Sequence, residues 1–176
     1  MKTIIYIAMA SSLSIFTLSC SNHRRAKNYN KTTVDNIDLN FIKNGMEEEL
    51  TEIKASGIVK THSKNPKVIG FANMITNNHT TTVEGLKRIE SDNQIDEKDS
   101  INNSDKQRID SISKLSGANF DKAYMHIMID DHRKAIRLFY AASQDINDHI
   151  QKFARKTLPV LQMHLDSAKL INAGLK

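Results

Sequence analysis

Tryptophan is absent from this 176-residue sequence, cysteine occurs once, proline twice and glycine six times. A single cysteine, Cys20, excludes an internal disulfide and any paired-thiol chemistry, so the fold must hold by core packing. Aromatic residues make up 6% of the chain, which leaves no evident stacking platform for sugars or bases. The formal net charge of +5 is spread along the chain. No basic stripe interleaves with aromatics, so nucleic acid is not an expected partner. No Gly-rich phosphate loop, Gly-x-Ser-x-Gly elbow or His-Glu-x-x-His motif occurs.

The N-terminus carries the first positive signal. After Lys2, residues Ile4 to Leu18 form an apolar run. It has the length of a signal-peptide core and falls short of the roughly 20 residues of a membrane span. The run ends in Leu18-Ser19-Cys20, which resembles the lipobox of bacterial lipoproteins. That resemblance implies a signal peptide over residues 1–19, cleavage before Cys20 and lipidation of its thiol. Acyl chains on Cys20 would hold the protein at a membrane. Residues 20–35 are rich in Asn, Lys, Arg and Ser, a composition that cannot bury enough surface to fold and reads as a tether. No acidic cluster follows the cysteine. By resemblance to lipoprotein sorting rules, this favours the outer membrane, facing the periplasm.

Residues 36–176 read as one all-α domain. Apolar residues recur there at spacings of three and four rather than alternating. A first helix carries Leu39, Ile42, Met46, Leu50, Ile53 and Gly57 on one face. Asn65-Pro66 marks a helix start, followed by Val68, Phe71, Ile75, His79, Thr82, Leu86 and Ile89. Ser91 to Ser104 reads as a loop, and a short helix spans about Asp105 to Leu115, with Gly117 as its C-terminal cap. A third long helix over about Asn119–Gln144 turns Tyr124, Met128, His132, Ala135, Phe139 and Ala142 inward. A fourth over about Asp148–Ala173 carries Ile150, Ala154, Leu158, Leu161, Leu165, Ala168 and Ile171, with Pro159 inside it. Four long amphipathic helices and one short one predict a four-helix bundle.

Several strings resemble a known family. Leu115-Ser116-Gly117, Phe120-Asp121-Lys122-Ala123-Tyr124-Met125 and Asp131-His132-Arg133-Lys134-Ala135 are similar to the signature of domain of unknown function family 4142, exported bacterial proteins regarded as ferritin-like. Asn65-Pro66-Lys67-Val68, Phe71-Ala72, Met74 and Asn78-His79 resemble its second helix. Phe153-Ala154-Arg155-Lys156-Thr157-Leu158-Pro159, Leu161 and His164-Leu165 resemble its last. The resemblance spans about Leu39 to Ile171 and implies a ferritin-like bundle. It implies no activity, since the family has none assigned. The chain departs from the family where an acid usually precedes the second-helix histidine (Asn78 here) and where Glu often precedes the last one (Met163 here). The family's first helix usually carries two glutamates at alternate positions. Here the corresponding stretch is Met46-Glu47-Glu48-Glu49-Leu50-Thr51-Glu52.

Of seven histidines, three fall within roughly 45° of the centre of an apolar stripe at about 100° per residue: His79, His132 and His164. Each belongs to a different helix and each matches the family pattern. His126 and His149 face outward. One reading makes the three histidines packing residues, each hydrogen-bonded to a carbonyl or to a neighbour such as Asp131, Tyr124 or Asn78. The other makes them ligands of a transition metal ion, with Asp131, Glu49 and Tyr124 around them. The chain has no Glu-x-x-His pair, and on the sequence only Asp131 and Glu49 are candidate carboxylates nearby. The packing reading is therefore the one preferred on sequence. The expected role is that of a membrane-anchored, non-enzymatic protein of envelope maintenance or stress response that binds an unknown protein or small ligand. The alternative is metal binding or metal-dependent redox chemistry.

Overall fold

Asn65, Asn102 and Asn147 each turn a side-chain oxygen back onto free N–H groups at the start of a helix. Asn65 Oδ1 accepts from Lys67 N at 3.0 Å, Asn102 Oδ1 from Asp105 N at 2.8 Å and Asn147 Oδ1 from His149 N at 3.1 Å. These caps satisfy donors that a helix cannot satisfy internally. The structure, a computed structural model, describes residues 36–96 and 98–175. The signal peptide, Cys20 and tether expected from the sequence lie outside the described residues. Six helices follow in order: α1 (Asn36–Gly57), α2 (Val59–His62), α3 (Pro66–Asp92), α4 (Asn103–Ile112), α5 (Gly117–Ala142) and α6 (Asp148–Ala173). Among the described residues there is no strand, and no helix is long and apolar enough to cross a membrane.

The four long helices form the bundle, α1 packing on α3 and α5, and α6 on α5 and α3. Two apolar clusters fill it, one at each end. Phe41, Ile42 and Met46 of α1 belong to one cluster with Leu86 of α3, Phe139 of α5 and Ile150 and Leu161 of α6. Ala55, Phe71, Ile75, Tyr124, Met128 and Leu165 belong to the other. Chain direction follows from this division. Helices α1 and α6 run from the first cluster to the second, and α3 and α5 run from the second to the first. The order is therefore up, down, down, up. The two parallel members, α3 and α5, are joined by the long connection that contains α4. One long crossover is the topology of ferritin-like bundles.

The inward faces expected for the last three long helices hold in outline. Phe71, Ile75, His79, Leu86, Met128, His132, Phe139, Leu161 and His164 are all buried. In α6, Leu158 and Ile171 are only half-buried, and Thr157 is buried beside them. Three further details differ. In α3 the buried position is Val83 rather than Thr82. Helix α4 ends at Ile112 with Ser113 as its cap, and Gly117, at φ +57°, instead opens α5. The third difference concerns α1, where Leu39, Leu50 and Ile53 are only half-buried and Gly57 is exposed. Its buried line runs through Phe41, Ile42, Gly45, Met46, Glu49, Glu52, Ala55 and Ser56. The sequence-based stripe followed the largest aliphatic residues and so steered around two glutamates that in fact face the core.

Candidate metal centre

Between the two apolar clusters lies a polar layer with one or two residues from each long helix. Glu49 and Glu52 of α1 sit one turn apart. His79, His132 and His164 come from α3, α5 and α6, and each follows one apolar cluster and precedes the other along its helix. The five side chains are almost fully withdrawn from solvent, none more than 2% exposed.

The imidazoles form a near-equilateral triangle, with ring centroids 5.2 to 5.4 Å apart. Each offers one nitrogen within 4.8 Å of those offered by the other two. His79 Nε2 lies 3.2 Å from His164 Nδ1. The carboxylates close the group: Glu49 Oε2 is 2.8 Å from His79 Nδ1, and Glu52 spans two rings, 3.4 Å from His79 Nε2 and 3.4 Å from His132 Nδ1. The 2.8 Å contact is an ion-pair distance, yet a ring N–H at His79 Nδ1 does not point at the oxygen. No hydrogen bond joins them, and both atoms stay unsatisfied. His132 Nε2 and Glu52 Oε2 are likewise buried without a hydrogen-bond partner. Four orphaned polar atoms in one buried layer is a costly arrangement for a packing role, since each unsatisfied group costs about 1–3 kcal/mol.

Burial also sets the protonation states. It lowers His132 to about 3, helped by the neighbouring His79 and His164. It lowers His164 to about 4, helped by His79. Both rings are neutral at physiological pH, the form that offers a lone pair to a metal. His132 Nδ1 lies 2.8 Å from Met128 O. Donation to that carbonyl puts the proton on Nδ1 and leaves the lone pair on Nε2. Glu52 is pushed well above the ordinary carboxylate range by burial first and then by the charges of Glu49, Asp131 and Glu48.

Donor atoms on a common ion at metal–ligand distances of about 2.0–2.2 Å lie at most about 4.4 Å apart. The three imidazoles, with one nitrogen from each within 4.8 Å of the others, are close to that limit, and Glu49 and Glu52 lie beside them in contact with His79 and His132. Imidazole and carboxylate donors without thiolate suit Fe(II), Mn(II) or Zn(II) better than Cu(I).

Asp131 and Tyr124, named from the sequence as neighbours of the histidines, bond elsewhere. Asp131 accepts two hydrogen bonds from Arg108 of α4, at 2.9 and 3.0 Å, and one from Lys134 at 3.2 Å. Tyr124 pairs its hydroxyl with Ser56 at 2.8 Å in the adjoining apolar cluster. Glu49 does touch a histidine. Glu52 was missed as a site residue, although a signal was present: Glu49, Glu52 and Ala55–Ser56 continue the period of Phe41–Ile42 and Gly45–Met46.

The sequence profile of domain of unknown function family DUF4142 matches residues 24–171. The chain belongs to the DUF4142 family. No curated protein and no solved structure matches it significantly. All five residues of the polar layer lie within the DUF4142 match. The chain's departure from the family pattern at Asn78 falls beside the cluster, with the Asn78 amide nitrogen 2.9 Å from His164 Nε2. Met163, the other departure, is 46% exposed. In this chain the acids that α1 contributes to the polar layer are Glu49 and Glu52, three residues apart.

Proposed function

We propose that this protein binds one divalent transition-metal ion in the middle of its bundle, through His79, His132, His164, Glu49 and Glu52, and that it does so as a lipid-anchored protein of the cell envelope. The observation that carries the metal reading is the sealed layer of three imidazoles and two carboxylates with four unsatisfied atoms. Two buried carboxylates without a cation are strongly unfavourable. A divalent ion would balance both charges and use the orphaned lone pairs. Glu52 tips the choice away from the packing reading preferred on sequence, because it supplies a second inward carboxylate.

Burial of all five side chains favours retention of an ion over turnover of a substrate, since catalytic metal sites keep an open position. Storage, buffering or redox cycling of the ion fits such a closed site better than hydrolysis. The anchor rests on Cys20 and the apolar run before it, and a metal-holding bundle on a tether suits a role in envelope maintenance. The test is elemental analysis of protein purified without a histidine tag, followed by thermal unfolding of chelated protein with added Fe(II), Mn(II) or Zn(II). The expected result is about one ion per chain and a rise in Tm on reloading. Protein that carries no metal and gains no stability from any of the three ions overturns the reading.

A further inference from the structure

A groove on the outside of the bundle, between α3 and α6, has a cavity of about 270 Å³. Its walls include the Phe153 ring, Val160 and Met163. Phe153 lies directly on Gly85, where any added Cβ would meet the ring at 2.4 Å, so the absence of a side chain at Gly85 gives the ring its position. Two cations, Arg88 and Lys156, line the same groove, and no carboxylate does. Neither cation makes an ion pair among the described residues, so no carboxylate of the chain neutralises this side of the groove. The hydroxyls of Thr81, Thr82 and Thr157 are committed to carbonyls of their own helices. The strongest donors left in the groove are therefore the two cations, while the Phe153 ring and the aliphatic carbons offer apolar contact.

We propose that this groove binds a small organic carboxylate with a compact apolar body, its anionic head between Arg88 and Lys156 and its body against Phe153, Val160 and Met163. An anionic head is favoured because the threonine O–H donors are already given to carbonyls, which leaves the two cations as the strongest donors in the groove. The volume is at the low end for small-molecule sites, which limits the ligand to a few carbons or one ring. Asn78 also lines the groove and reaches His164 from its other side, so the bound molecule would lie one amide away from the histidine layer. The site stands on its own residues and needs no metal.

The test titrates the full chain with benzoate, benzyl alcohol and benzylammonium, which share a ring and differ in head charge. Calorimetry gives affinity, and methyl-labelled methionine spectra report position. Benzoate should bind about tenfold more tightly than benzyl alcohol and more tightly still than benzylammonium. It should move the Met163 methyl signal and leave that of Met46, which is 2% exposed in the core. The double variant Arg88→Ala/Lys156→Ala changes two exposed residues. It should keep its Tm and lose the preference for benzoate. Equal binding of the three probes, or a Met163 signal unmoved by benzoate, overturns the proposal. So does a face that leaves benzoate unbound but sediments with anionic vesicles through Arg88 and Lys156, which would be a membrane-contact surface instead. Metal content is not read in this experiment, so its failure and that of the metal reading are separate.

Discussion

Glu52 Oε1 lies 3.4 Å from His132 Nδ1, and neither side chain is more than 1% exposed. One residue comes from the first long helix and the other from the third, and their meeting joins the two hairpins of the bundle across its centre. Glu52 also reaches His79 of α3, so a single carboxylate contacts side chains from two other helices. In a packing role this would be an expensive choice, because an apolar side chain of similar volume is often neutral or stabilising at such a position. In a metal site it is the residue that bridges the ligands.

Glu52→Gln keeps the shape and removes the charge. Metal affinity of the purified protein should fall by at least about tenfold, while Glu47→Gln, half-exposed on another side of α1 and bonded to Asn102, should leave it unchanged. The uncharged variant should also be more stable than wild type when both are metal-free, since it relieves a buried acid. Calorimetric metal titration and urea unfolding in chelator read the two effects separately. Unchanged affinity in Glu52→Gln would remove this carboxylate from the ligand set.

Asn78 offers a second handle. Its amide nitrogen faces His164 Nε2 at 2.9 Å, so a half-turn of the amide exchanges donor for acceptor at that ring nitrogen. With Oδ1 turned inward, Nε2–H donates to it and Nδ1 keeps its lone pair for a metal. Asn78→Asp makes that polarity permanent, and metal affinity should rise by about tenfold. A fall in affinity would show that His164 uses Nε2 for the metal.

Leu161 is 1% exposed within the apolar cluster of α1, α3, α5 and α6. Leu161→Asp should cost about 4 kcal/mol or more, from lost burial and an unpaired charge. Far-UV circular dichroism through a thermal ramp reads the result. An unchanged Tm would contradict the packing of α6.

The last three long helices were legible because their inward faces carry apolar periodicity broken only by a histidine or small polar residue, and because α3 and α6 start on Asn caps. Helix α1 was not, for a physical reason. Its buried line includes two ionisable residues and several small ones, while Leu39, Leu50 and Ile53 sit at the edge, so a stripe drawn by hydrophobicity rotates away from the true face. The three histidines could be found from sequence because each interrupts an apolar stripe. Asp131 looked like a partner by its angle on α5, but Arg108 of the preceding short helix α4 claims it, and a contact between side chains 23 residues apart on two successive helices has no local signal.

Cys20→Ser should abolish the acyl mass and stop cleavage before residue 20, leaving the N-terminal apolar run on the chain. Intact mass and cell fractionation check this. A wild-type protein with neither acyl mass nor membrane association would remove the anchor from the proposal.

Stability against pH in the metal-free protein has contributions of both signs. The folded state holds His132 down to about 3 and His164 to about 4, against an ordinary 6.5. As pH falls through 6.5 the unfolded rings take up protons and the folded ones do not, so these two groups favour unfolding progressively down to about pH 3. Glu48 is raised to about 7 by burial first and then by Asp131, and Glu52 is raised by burial first and then by Glu49. Folded, these carboxyls keep protons that the unfolded chain releases above 4.5, so they add stability as pH falls through that window and add no more below it. The two pairs oppose each other between pH 6.5 and 4.5, and only the histidines act below 4.5. Urea midpoints in chelator should therefore stay nearly level down to about pH 4.5 and then drop steeply toward pH 3. The metal-loaded protein should behave differently: protons compete with the ion for all five ligands, so its extra stability fades with acidification from a higher pH. A metal-free midpoint that declines steadily from pH 6.5 would mean that Glu48 and Glu52 do not hold their protons, and that the layer carries its negative charge even without a cation.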